Sequence, residues 1–172
     1  MATVIFFRAV NVGGHQTFRP GELAKALDAY DVVSIGAAGT FVAKSKATES
    51  QLRKAIASVL DFMPEIMMVD GAEIQSLLKM KRMLEPEVGI GRFLTVMACP
   101  LTIKPRLPIN APDDDDWQVR IVAVKGKCAL SLRRPGGKRP LYPNEIVEKT
   151  FKVSATTRNW ATLQKICDTI AS

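Results

Sequence analysis

The sequence predicts an α+β protein of two units. Residues 1–85 read as an N-terminal ferredoxin-like (split βαβ) unit, and residues 86–172 as a smaller C-terminal α+β unit. Three observations predict this. Up to residue 70 the apolar periods follow the order β-α-β-β-α-β, which is the split βαβ order. A third helical period follows that run. Beyond about residue 90 the pattern returns to strands, interrupted by a proline- and acid-rich stretch, and ends in two helical segments.

The first strand is "TVIFF", Thr3 to Phe7, ending at Arg8. "NVGGHQTF" follows as a loop turned by Gly13 and Gly14. Pro20 suits a first helical turn, and Leu23, Ala26, Leu27 and Tyr30 share one face, so a helix is expected over about 20–30. "DVVSI" and "TFVAK" flank "GAAG" as a hairpin. Thr48 and Gln51 have capping-box spacing ahead of a stripe of Leu52, Ile56, Val59 or Leu60, and Met63, stopped by Pro64. "EIMMV" is a strand. Asp70 and Glu73 repeat the box spacing before Ile74, Leu77, Leu78 and Met83. In the second unit "FLTVMAC" is a strand, and "PLTIKPRLPINAPDDDD" reads as mostly irregular. "WQVRIVAV" and "CALSLRR" pair around Lys125-Gly126-Lys127. A helix is expected around Glu145 to Phe151, and a last one from Thr157, with Thr156 or Thr157 as its cap. Trp160, Leu163, Ile166 or Cys167, and Ile170 form its stripe, with Trp160 as a core anchor.

Composition narrows the function classes. With 47% hydrophobic and 24% charged residues the chain can build a core. No apolar run approaches the length of a membrane span. The opening segment lacks a basic lead and a cleavage-type tail, so a buried strand is expected rather than a signal peptide. Cys99, Cys128 and Cys167 are odd in number and far apart, which fits reduced thiols in cytoplasm and no disulfide framework. His15 is the single histidine, so a multi-histidine zinc site cannot be built. Neither a metal nor a cofactor is expected. As a general base His15 is the sole candidate near neutrality, and catalysis is not inferred from it.

The net charge of +7 belongs to the last third. Residues 117–172 hold 11 basic and 3 acidic residues, against 13 and 14 in residues 1–116. Such a bias favours anionic partners, and it is equally the signature of a solvated basic face. The basic cluster "LRRPGGKRPLYP" brings Arg133, Arg134, Lys138 and Arg139 around a Pro-Gly-Gly turn with Tyr142 nearby, which would suit phosphates and a stacked base. "DDDD" at 113–116 reads as a solvated acidic turn, because adjacent carboxylates diverge rather than converge on a metal. "NVGGH" lacks nucleotide-loop spacing, but Arg8 and Asn11 sit where a strand opens into a loop. In "ATTRNW", Ala155 to Trp160, capping and packing account for one threonine and the indole and leave Arg158 and Asn159 unexplained. In a first helical turn these two would bind an anion, or Arg158 would pair with Glu145 or Glu148.

At these two segments the chain resembles domain of unknown function family 1697, small bacterial proteins. Members open with a strand followed by Arg-Gly-Ile-Asn-Val-Gly-Gly, where this chain has Arg8-Ala9-Val10-Asn11-Val12-Gly13-Gly14. They end with Ala-Thr-Thr-Arg-Asn-Trp, which Ala155 to Trp160 match outright, and Asn144 and Glu148 also fall on the family pattern. The family's Gln-Ser-Gly-Asn turn is here Ala37-Ala38-Gly39-Thr40, and its Ser-Lys before the penultimate helix is Pro140-Leu141. The resemblance implies a two-part α+β fold and no particular activity.

Three readings result. The leading one is a cytoplasmic protein binding a small anion, phosphate or carboxylate, through Arg8, Asn11, Gly13, Gly14, Asn144, Thr157, Arg158 and Asn159. The alternative is a nucleic-acid-binding module using Arg133, Arg134, Lys138 and Arg139. A third is a structural or partner-binding protein in which Arg158 ties the two halves together. No membrane partner is expected, and no pattern specifies an oligomeric state.

Overall fold

A computed structural model describes residues 2–11, 13–14, 16–80 and 87–172. The fold is mixed α+β, with two antiparallel sheets and several helices. The residues cluster into two compact units, one of Met1–Gln75 with Gln164–Ser172 and one of Ser76–Leu163. Val12, His15, Met83 and the expected boundary at 85/86 lie outside the described residues.

The first unit contains a four-stranded sheet. β1 (Thr3–Arg8) lies between β3 (Thr40–Ala43) and β4 (Glu65–Asp70), and β2 (Val32–Ser34) pairs with β3, giving the order β2-β3-β1-β4. Every neighbouring pair is antiparallel. β1 is central because "VIFF" is apolar on both faces, and all four side chains are buried. α1 (Pro20–Ala26) begins at Pro20, whose fixed φ and missing N–H suit that place. A 3-10 turn at Asp28–Tyr30 finishes what the sequence reads as one longer helix. Ile5, Phe7, Phe41, Leu23 and Leu27 join Leu52 and Ile56 of α2 (Glu49–Val59) in one core.

α2 carries the expected capping box. Thr48 Oγ1 accepts from Gln51 N at 3.3 Å, and Gln51 Oε1 accepts from Thr48 N at 2.8 Å. Thr48→Ala removes one arm, and urea unfolding should show a loss of about 1 kcal/mol. An unchanged midpoint would mean the box adds nothing. The far end of the helix corrects the expectation. α2 stops at Val59 rather than near Pro64; Leu52 and Ile56 are buried and Leu60, just past the helix, packs half-buried against the same core, while Val59 and Met63 are 42% and 56% exposed. α3 (Gly71–Leu78) buries Ile74, Leu77 and Leu78 as expected. At its start Asp70 Oδ1 accepts from Ala72 N at 2.8 Å.

The second unit contains a five-stranded sheet in the order β6-β7-β8-β5-β9. β5 (Gly91–Met97), β7 (Val119–Lys125) and β8 (Cys128–Arg133) are the strands read from the sequence. β6 (Ile109–Ala111) is a correction to the expected irregular stretch. It is a three-residue edge strand between Pro108 and Pro112, and an edge tolerates prolines that an interior strand would not. α4 (Pro143–Phe151) lays Ile146 and Val147 on Met97, Val119, Ile121, Ala129 and Ala155.

The second correction concerns the chain end. Ala155–Asn159 is not the start of a helix but a strand, β9, and the last helix, α5, runs Trp160–Ala171. β9 pairs antiparallel with β5 from Met97↔Ala155 to Phe93↔Asn159. Two β-branched threonines favour that pairing, and Thr157 Oγ1 lies 2.7 Å from Thr95 Oγ1 across it. Thr156 and Thr157 therefore cap nothing. Asn159 takes that role, its Oδ1 accepting from Thr162 N and Thr162 Oγ1, both at 3.0 Å.

Candidate functional site

Strand pairing decides what the C-terminal motif can present. Side chains alternate faces along β9. Ala155 packs in the core under α4, so Thr157 shares that face, and Thr156 and Arg158 point to the opposite one. Arg158 stands beside Leu94 in register, and Leu94 is fully buried. Thr157 and Arg158, expected together in one site, therefore lie on opposite faces of the sheet.

Arg158 is 9% exposed. Its Nη1 donates to Thr156 Oγ1 at 2.8 Å and to the Thr157 carbonyl at 2.9 Å, which fixes the guanidinium plane from its own strand. Desolvation by burial pulls its pKa down from the usual arginine range to about 10, so it stays charged at neutral pH. For stability the sign is that of a base whose folded pKa lies below its unfolded one. The cost of burying the charge is fully present below about pH 10 and fades as pH rises from there toward the usual arginine range. Glu148 meets the backbone of the same strand, its Oε1 accepting from Ala155 N at 2.8 Å, while Glu145 is exposed. Trp160 is half-buried rather than a core anchor, and the Arg92 guanidinium lies 3.9 Å over its ring.

The first-unit residues have local partners. Arg8 Nη1 meets Glu65 Oε2 at 3.0 Å across β1 and β4, where the two residues are in register. Asn11 holds the loop to the neighbouring turn. Its Nδ2 donates to the Ala37 carbonyl at 3.3 Å, and its Oδ1 accepts from Phe18 N at 2.9 Å. Gly13 and Gly14 both have positive φ and are exposed, as tight-turn glycines are.

The basic loop is partly occupied within its own unit. Arg133 Nε donates to the Leu141 carbonyl at 2.7 Å, and its guanidinium lies 4.5 Å from the Tyr142 ring. Arg134 donates to the Asp115 carbonyl at 2.9 Å and stacks on Trp117 at 3.9 Å, with Arg120 at 4.2 Å from the same ring. A cleft of about 410 Å³ lies between Trp117, Gln118, Arg134 and the Gly136-Gly137 turn. Lys138 and Arg139 are exposed. The four aspartates form an exposed turn in which Asp116 N donates to Asp114 Oδ1 at 2.9 Å. Among the described residues no cluster of His, Cys, Asp or Glu could hold a metal ion, and no helix is long and apolar enough to cross a membrane.

Sequence reasoning missed one group of residues. Thr95 and Ser131 are fully buried on the α4 face of the sheet, and Ser131 Oγ has no hydrogen-bond partner among the described residues. A lone serine in "CALSLRR" carries no signal of that, but a polar residue in the middle of an apolar strand is the pattern that would have singled it out.

No family model and no curated protein matches the chain. Among solved structures it is similar to a conserved bacterial protein from Streptococcus pneumoniae, with a TM-score of 0.61 and 15% identity over 98% of each chain. At that identity the likeness is one of fold.

Proposed function

We propose that this protein binds a small anion, a phosphate or carboxylate, and that Arg158 supplies the charge that holds it. One observation carries the reading: a guanidinium only 9% exposed, whose Nη1 donates to two oxygens of its own strand. An anion beside so buried a guanidinium would be attracted more strongly than in water. The planar fork suits two oxygens of a carboxylate or phosphate. Arg8, Asn11, Gly13 and Gly14 have work in their own sheet and loop, and Asn159 caps α5, so the proposal rests on Arg158.

The test is a titration with phosphates and carboxylates, followed by the Arg158 Nε–H resonance. A saturable shift is expected, with affinity at least about ten-fold weaker in Arg158→Lys, which keeps the charge and loses the fork. Only the protonated form attracts the anion. For a carboxylate, whose own charge is constant over this range, affinity should therefore stay flat from about pH 6 to 9 and fall as pH rises through about 10. Indifference of that resonance to every anion tried, or equal binding by Arg158→Lys, would contradict the proposal.

We also propose that the first unit is ferredoxin-like and that the chain is related to domain of unknown function family 1697. The order β2-β3-β1-β4 with antiparallel neighbours supports a ferredoxin-like first unit. The segments Arg8 to Gly14 and Ala155 to Trp160, together with the fold likeness to a conserved bacterial protein, support a diverged relative of domain of unknown function family 1697. The nucleic-acid reading has less support, because two of its four cations, Arg133 and Arg134, already serve aromatic rings and backbone carbonyls.

A further inference from the structure

We infer that the first turn of α4 and the sheet beneath it form a second oxyanion site, with Ser131 Oγ as its buried donor. The site lies on the face of the sheet opposite Arg158, so it stands or falls independently of the reading above.

Ser131 lies in β8. It is 0% exposed and its Oγ has no hydrogen-bond partner among the described residues. A buried hydroxyl of that kind calls for an explanation. Its place on β8 suggests one. Ala129, two residues before it, packs under Ile146 and Val147 in the body of α4. Arg133, two residues after it on the same face, bonds the Leu141 carbonyl and lies over Tyr142, the residue preceding the helix. Ser131 thus sits between the helix body and its N-terminal end, facing the first turn.

That first turn lacks a side-chain cap. Tyr142 at the cap position gives no such bond, and Pro143 has no N–H. Ile146 N is satisfied by the Tyr142 carbonyl at 3.2 Å, so the donors at the positive end of the helix are the amides of Asn144 and Glu145. The neighbouring strands add hydroxyls, since Thr95 and Thr157 are bonded to each other at 2.7 Å on this face. Helix and strand rise place Asn144 near them. Glu148 reaches Ala155 N, and one helical turn back from Glu148 is about 6 Å, matching the two strand residues from Ala155 to Thr157. Asn144 and Thr157 are only half-buried.

Two backbone amides, a hydroxyl and a helix N-terminus form a donor set for oxygens that carry negative charge. Arg133 adds positive charge at the rim. Of the nearby carboxylates, Glu145 is exposed and Glu148 is bonded to Ala155 N. The ligand class is therefore a phosphate or carboxylate group.

The experiment is a backbone-amide titration of the full chain with inorganic phosphate. The Asn144 and Glu145 amides should shift saturably in the wild type and equally in Arg158→Gln. In Ser131→Ala the affinity read at those amides should fall at least about ten-fold, while the melting temperature without phosphate stays level or rises, because a buried unpaired hydroxyl has gone. Amides that do not move in the wild type overturn the inference, as does a Ser131→Ala protein that binds phosphate as tightly. If Ser131→Ala fails to fold, its hydroxyl holds the sheet rather than a ligand, and the inference is likewise overturned.

Discussion

Truncating Phe7 to alanine should lower the free energy of unfolding by about 3–5 kcal/mol, measured by chemical denaturation. Phe7 is 1% exposed in the core of the first unit, with ring centroids 5.4 Å from Phe18 and 5.2 Å from Phe41. These tilted contacts add to the area term, so the cost should fall at the upper end for a buried aromatic. Phe7 also belongs to a central strand, where neighbours on both sides limit collapse into the space left behind. A loss under about 1 kcal/mol would mean that this core is not packed as described.

Gly39→Ala should cost about 2–4 kcal/mol for two separate reasons. Gly39 has φ +67, where a side chain is strained. A Cβ there would also stand 2.7 Å from Val10 Cγ2 and 2.8 Å from Phe7 Cβ, closer than such atoms approach. The Phe7 atom is the root of a buried side chain and cannot swing away. Gly36→Ala, in the same turn at φ +69 with open space around it, should lose only the conformational part, about 1–2 kcal/mol. Comparing the two by thermal unfolding separates strain from overlap, and equal losses would contradict the close approach.

Most of the first unit was legible because its signals are local. Apolar runs mark the strands, and Thr48 with Gln51 marks the start of α2. What the sequence hid depends on partners distant in the chain. The end of α2 is one case: Leu60 leaves the helix with extended backbone, and Val59 and Met63 keep the apolar character of a stripe without its burial. The segment Ala155–Asn159 is the other. Two threonines ahead of a helical stripe look like caps, and only the pairing with β5, some sixty residues away, makes them a strand. The spacing of Asn159 and Thr162 did hold the true cap.

The same misreading shaped the candidate site. As a helical turn, "TTRN" gathers its polar groups around one end; as a strand, it separates Thr157 from Arg158 across the sheet. Arg158 remained legible as the residue that capping and packing leave unaccounted for. Its burial, and the unpartnered state of the Ser131 hydroxyl among the described residues, emerge only from the sheet.

The most direct test of the central claim is a crystal structure of the protein grown with selenate, whose anomalous signal marks a bound oxyanion. The account predicts a peak within hydrogen-bond distance of the Arg158 guanidinium. Anomalous peaks confined to exposed lysines and arginines, with the Arg158 guanidinium enclosed by protein atoms alone, would contradict it.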